Sequence, residues 1–311
     1  MDDENDRTAS LMTPAKLAQV AATAKATVSP SAFLDRMAAD VGHQHVSRLA
    51  ELQKQLEDQS RLAPAESLQA AVDKLAEKLG KMDFAPLEVK GIIANLTGKA
   101  KAAGAEFAYR VGKVDKAAQA LADLVVPMQK EQATRDAAHE RTMVEFDVEY
   151  KALDKVIDQG ARWLQDMRNQ LKTREADASL DAEGRAQLAQ DSSRCELLVG
   201  RLKSLRAAAA ASQQAHGEAR ATAKRRIEVL QAATRLLNGE VAEWRHGLGA
   251  LAEAATEGKA EGPRIKQGQE LTGSVRARTE ALQADCGQLC THETTLQRQL
   301  AAMGEQLRAA G

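Results

Sequence analysis

The stretch "SLRAAAAASQQAHGEARATAKRR", Ser204 to Arg226, holds five consecutive alanines, two glutamines, a histidine and a cluster of positive charge. Whether it coats a solvated helix or lets a second helix come close decides the fold. The flanking residues answer the question. Leu198, Leu202, Leu205, Ala209, Ser212, His216, Ala219, Ala223, Ile227, Leu230, Thr234, Leu237, Val241, Trp244, Leu248, Leu251 and Ala255 follow one another in steps of three and four. That alternation is the heptad step of helices packed along a seam. The small residues interrupt a leucine stripe, so the alanine run belongs to the seam and marks where backbones approach most closely. One four-four step at Ala219, Ala223 and Ile227 predicts local unwinding of the supercoil. The period passes in phase through Asn238 and Gly239, which favours a continuous helix over a turn there.

Outward from this segment the same pattern recurs. Phe107, Val111, Val114, Ala118, Leu121, Val125 and Met128 form one series. Met143, Phe146, Tyr150, Leu153, Ile157, Gly160, Leu164, Met167 and Leu171 form another in a shifted phase. The polar segment "QKEQATRDAAHER" between them, just after Pro127, reads either as a bend between two helices or as a kinked, solvated link within one long helix, and the kink is favoured. A last series runs Thr272, Val275, Thr279, Leu282, Cys286, Leu289, Glu293, Leu296, Leu300, Met303 and Leu307. Nearer the N-terminus, Leu68, Val72, Leu75 and Leu79 make the stripe of a shorter helix, with Pro64 suited to its first turn and Gly80 to its C-cap. No segment shows the β-branched alternation of a strand.

The expected fold is therefore all-α, an elongated antiparallel helical bundle or coiled coil with long helices, because each stripe left alone would stay wet. The organisation reads as a disordered tail over 1–30, short helices over 31–82, and a connector over 83–104 broken at Gly91, Asn95, Gly98 and Gly104. A long-helix core over 105–257, a loop over 258–264 and a C-terminal helix over 265–311 follow. Structure is expected to begin near Phe33, with Leu34, Met37 and Val41 in helical register.

Composition narrows the function classes. Aromatic residues are only 3% of the chain against 44% hydrophobic residues, so the apolar surface is mostly Ala, Leu and Val, which seals side-by-side helices better than a broad core. The net charge of -1 gives no overall field toward nucleic acid or an anionic membrane. No run approaches the ~20 apolar residues of a transmembrane helix. The acidic start "MDDENDRTAS" is unlike a secretory signal. Three cysteines are too few for a disulfide framework and fit a reducing compartment. The expected setting is the bacterial cytoplasm, or the periphery of the inner membrane, with no stable membrane insertion.

Few residues suggest chemistry. From Arg194 to Arg226 eight basic residues face only Glu196 and Glu218. Arg201, Lys203, Arg206, Arg220, Lys224, Arg225 and Arg226 are the candidate anion or partner patch. Without interleaved aromatics for base stacking, nucleic acid is not the expected partner; pairing with the acidic segment Lys130 to Asp158 across a seam is the favoured role. Cys286 and Cys290, four residues apart with His292 following, are candidate metal-binding or redox thiols. They lack a closed zinc pattern, and Cys286 stands where a seam wants a small apolar residue. "GKAKAAG" lacks the Gly-Lys-Ser/Thr ending of a phosphate loop. No catalytic residue, cofactor or metal ligand set is identified, and the expectation is a protein that is not an enzyme and works through protein partners or self-association along helical faces.

Three segments resemble the TelA-type toxic-anion (tellurite) resistance family. "IIANLTGKAKAAGAEFAYRVGKVDKAAQALADL" resembles its apolar, glycine-containing connector and the aromatic-basic step, here Phe107, Tyr109 and Arg110, into a long helix. "RDAAHERTMVEFDVEYKALDKVI" looks like its next segment, with Arg135 and Asp136 where the family tends to have Asp-Asn. "RLKSLRAAAAASQQAHGEARATAKRRIEVLQAATRLLNGEVAEWRHGL" is similar in spacing to its Gln- and Ser-containing helix, although its threonine run is represented only by Thr234 and its arginine-glutamine motif only by Arg201. The resemblance spans about residues 70 to 255. It implies a bacterial cytoplasmic protein of the toxic-anion stress response, with no catalytic residues to carry over. The alternative is a general helical scaffold, or an envelope- or phage-associated structural protein with no anion role, whose likeness comes from shared helix periodicity.

Overall fold

The computed structural model describes residues 41–60, 65–88 and 99–311. The predicted tail, the start near Phe33, Pro64 and the breaks at Gly91, Asn95 and Gly98 lie outside the described residues. Seven helices and no strand occur among the described residues: α1 (His43–Ser60), α2 (Ala65–Gly80), α3 (Ala85–Glu88), α4 (Lys99–Glu175), α5 (Ala182–Asn238), α6 (Glu240–Thr256) and α7 (Gly262–Ala310). The long helices pack against one another as a helical bundle, so the all-α class read from the periodicity is the observed one.

Several boundaries differ from expectation. Helix α4 starts at Lys99, so the last residues of the expected connector are helical, and Gly104 is buried inside the helix instead of breaking the chain. The same helix continues through Pro127 and the polar segment beyond it, 77 residues in all. The expected loop over 258–264 is shorter, because Gly262 and Pro263 open α7; proline is tolerated in a first helical turn, where its missing N–H has no partner to lose. Gly258, at φ +77°, makes the turn before it. At Asn238 and Gly239 the helix is interrupted, contrary to the continuity favoured by phase. The interruption is one residue long: Gly239 leaves helical geometry (φ -99°, ψ -99°), yet its N–H bonds to Arg235 O at 2.9 Å and its carbonyl accepts from Glu243 N at 3.1 Å. The hydrophobic period survives because the hydrogen-bonded path barely changes.

The chain forms two compact units. In the first (described residues 41–53, 145–214 and 301–311), α4 and α5 run antiparallel, since Arg168 pairs with Glu196 at 2.7 Å while Gly160 lies against Leu202. Arg48 pairs with Glu145, and His45 with Glu149 at 2.8 Å, setting α1 antiparallel to α4. The core takes Leu49 and Leu52 from α1, Phe146, Leu153 and Ile157 from α4, Leu198 and Leu205 from α5, and Met303 and Leu307 from α7. Ala208 is fully buried and Ala209 nearly so, whereas Ala207 and Ala210 are exposed. The alanine run therefore lies in the seam, with its centre closer to Ala208 than to Ala209.

In the second unit (described residues 54–60, 65–88, 99–144 and 215–300) one continuous apolar cluster takes residues from α2, α3, α4, α5, α6 and α7. The contacts Gly104–Ala255 and Asp115–Arg245 set α4 antiparallel to α6; Trp244–Thr272 and Glu240–Arg278 do the same for α6 and α7. Helix α2 lies antiparallel to α7, with Asp73 accepting from Gln283 at 2.8 Å and the Leu79 carbonyl from Arg276 at 2.8 Å. Leu68, Val72, Leu75 and Leu79, the predicted stripe of α2, are fully buried. Burying each such leucine contributes about 1.5–3 kcal/mol.

Candidate anion-binding groove

The residues singled out in the sequence do not come together in one site. Arg201, Lys203 and Arg206 belong to the first unit, and Arg220, Lys224, Arg225 and Arg226 to the second. Arg201 is half-buried and donates to the carbonyls of Val41 (3.3 Å) and Ala310; burial lowers its pKa below the ordinary arginine value. Lys203 and Arg206 are exposed. Arg220 pairs with Glu140 at 3.6 Å, which is the expected pairing with the acidic stretch of α4. Arg225 and Arg226 depart from it: they turn to α7, where Arg225 meets Asp285 at 2.6 Å and Arg226 meets Glu293.

The Arg226–Glu293 pair explains a polar residue at a predicted seam position. Both side chains are about seven-eighths buried, and the other oxygen of Glu293 accepts from the Ala65 N–H at 3.0 Å, at the first residue of α2. A carboxylate there satisfies one of the orphan N–H groups of a helix start and complements its dipole. At the predicted stutter the most buried places go to Ala219 and Thr222, with Ala223 and Ile227 half-buried. Apolar periodicity could not show this, because the buried arginine contributes its aliphatic stem to the seam and its charge to the pair.

The thiols sit on α7 as spaced, but in surroundings that disfavour thiolate. Cys286 is fully buried at its seam position, and its pKa is pushed up to about 12, chiefly by burial and then by Cys290 and Asp285. Burial also raises Cys290, which is half-buried, and Cys195. Thiols held protonated are weak nucleophiles and poor metal ligands. His292 turns to Glu218, with Nδ1 2.6 Å from the carboxylate. No group of three or more His, Cys, Asp or Glu residues arranged to hold a metal occurs among the described residues. No helix among them is long and apolar enough to cross a membrane.

The concave surface with a consistent chemistry is elsewhere, between α2 and α4 in the second unit. Lys74, Lys78 and Lys81 line one wall and Tyr109, Arg110, Lys113, Lys116 and Ala117 the other, around a groove of about 750 Å³. Helical spacing builds both walls: Lys74 and Lys78 stand four apart on α2, with Lys81 one residue past its end, and Arg110, Lys113 and Lys116 follow in steps of three on α4. Leu75 and Leu79 of α2 and Val114 and Ala117 of α4 are buried in the apolar cluster of the same unit. Arg110 ties the walls together, donating through Nη1 to the Lys81 carbonyl at 2.9 Å and through Nη2 to Glu106 at 2.6 Å. Cations suit the end of α2, where the helix dipole places negative partial charge.

Glu77 is the counterion of this wall. It bonds to Lys81 and, at 3.0 Å, to Lys78, and these hydrogen bonds hold its carboxyl at about 2, well below the usual range. It does not line the groove, and neither does Glu106. Tyr109 is 64% exposed, with the Lys113 ammonium 4.9 Å from its ring centroid. The lysine spacing on each helix was present in the sequence. What could not be read there was that the two lysine faces meet, since that depends on which face of α4 packs on α2.

The chain matches no protein-family model, no curated protein and no solved structure.

Proposed function

We propose that the chain is a non-enzymatic helical-bundle protein of the toxic-anion resistance type, acting through protein partners in the stress response of a bacterial cytoplasm. The observation that carries this reading is the position of Tyr109 and Arg110. These two residues of the aromatic-basic step, which belongs to one of the three segments that resemble TelA-type proteins, line the lysine-rich groove. A groove with this charge concentrates anions, and its long flanking helices offer faces for partners. Deleting the gene is expected to lower tolerance to tellurite, and the intact chain supplied in trans is expected to restore it. Tolerance unchanged by deletion, under conditions where the protein is expressed, would overturn the toxic-anion part.

A second reading, a general helical scaffold of envelope or phage assemblies, is favoured by Arg225 and Arg226. Their pairing with Asp285 and Glu293 gives these charges an internal role in holding helices together. Capture of a defined structural partner by a deletion strain's complementing chain, with tellurite tolerance unaffected, would support it.

A further inference from the structure

We infer that the groove between α2 and α4 binds a nucleoside polyphosphate, with the phosphate chain on the lysines and the base on the ring of Tyr109. The inference shares the groove with the toxic-anion reading but does not depend on the resemblance. Among the described residues that line the groove, six are cations, Lys74, Lys78, Lys81, Arg110, Lys113 and Lys116, and none is a carboxylate. On a chain whose net charge is -1 this concentration is local. Glu77 and Glu106 offset Lys78, Lys81 and Arg110 from outside the groove, and with Lys74, Lys113 and Lys116 added the lining favours a ligand with several negative charges.

Size and donor type narrow the class. A groove of about 750 Å³ falls within the ~300–1,000 Å³ of small-molecule sites and far exceeds what a single small oxyanion fills. Lysine ammoniums are point charges on flexible stems, which follow a phosphate chain more readily than they form a fixed cradle for one compact anion. Tyr109 supplies the remaining element. Its exposed ring, next to the Lys113 ammonium, offers a face on which a base can stack beside the charges that hold its phosphates. A phosphate chain without a base leaves that face unused, and a base without phosphates makes no use of Lys74, Lys113 and Lys116.

Isothermal titration of the full chain with ATP, inorganic triphosphate and adenosine at about 50 mM salt, where charge contacts are weakly screened, tests this. ATP is expected to bind about tenfold more tightly than triphosphate, in line with stacking on one aromatic ring, and adenosine not to bind measurably. Tyr109→Ala should bring ATP down to the triphosphate level and leave triphosphate unchanged. Lys74→Glu with Lys113→Glu, both exposed positions, should weaken both polyphosphates at least about tenfold by charge reversal. Lys203→Glu with Lys224→Glu, the same charge change outside the groove, should leave them unchanged. Absence of ATP binding by the folded wild-type chain, binding that survives the groove double variant, or equal loss in the outside variant would overturn the inference. A glutamate-rich peptide that binds more tightly than ATP would do so as well. Because the readout is binding in solution, its failure is distinct from unchanged tellurite tolerance in cells.

Discussion

Trp244→Ala is expected to lower the stability of the protein by about 3–5 kcal/mol, read as a fall in the urea midpoint of unfolding. Trp244 is the largest of the fully buried side chains, held among the apolar residues of the second unit. Its removal leaves a cavity that helix backbones close only in part, and neighbouring side chains lose their dispersion contacts along with the transfer free energy of the ring. A hydrogen bond goes too. The indole Nε1–H donates to Thr272 Oγ1 at 3.0 Å, and Thr272 is itself buried on α7. Trp244→Phe keeps most of the volume and loses that bond, so it should fall between the wild type and alanine. Since a domain is typically stable by only about 5–15 kcal/mol, the alanine variant would approach the limit of folding. A Trp244→Ala midpoint within error of the wild type would mean that the α6–α7 contact is not part of the core.

The second large effect comes from adding one carbon atom. A Cβ at Gly104 would overlap the Ala255 carbonyl and come 2.8 Å from the Thr256 amide nitrogen, so Gly104→Ala drives the start of α4 into the end of α6. Backbone cannot move aside by changing rotamer. The cost is expected at or above the top of the usual overpacking range, about 3 kcal/mol. Gly112 provides the control. It lies on the same helix, and a Cβ added there would meet nothing within 4 Å, so Gly112→Ala should instead stabilise by about 1 kcal/mol through helix propensity. Opposite signs for one substitution at two positions of α4, measured by thermal unfolding, would establish that close approach and not glycine content matters at Gly104. Two stabilising effects would refute the contact.

These two residues also mark where the sequence was legible. Trp244 stood in the predicted seam, and so did most buried residues of the long helices, because a period of three and four residues is a property of one helix and needs no knowledge of its neighbour; Ala117, Val156, Ala208, Val229, Ala233 and Leu236 are buried beside the predicted series, where further helices pack. Gly104 was misjudged. Glycine in isolation signals a chain break, and only the position of Ala255 on another helix reveals that it is there to let backbones touch. Glu293 and Arg226 follow the same logic, since a charge in a seam looks like an error until its partner is known. So does the groove: Lys74, Lys78 and Lys81 resemble any solvated helix face until Arg110 is found reaching across to the Lys81 carbonyl. Patterns carried by one helix were readable; sites made by two were not.

The close-packed bundle depends on the packing of the alanine run, and the comparison of Ala208→Leu with Ala207→Leu tests it most directly. Ala208 is fully buried in the seam of α5, whereas its neighbour Ala207 is exposed. Leucine is a good helix former at either position, so local propensity hardly distinguishes the two variants. Overfilling the seam is expected to cost Ala208→Leu about 1–3 kcal/mol, seen as a lower melting temperature, while Ala207→Leu melts with the wild type. Equal melting temperatures for the two variants would put the alanine run in water and contradict the close-packed bundle.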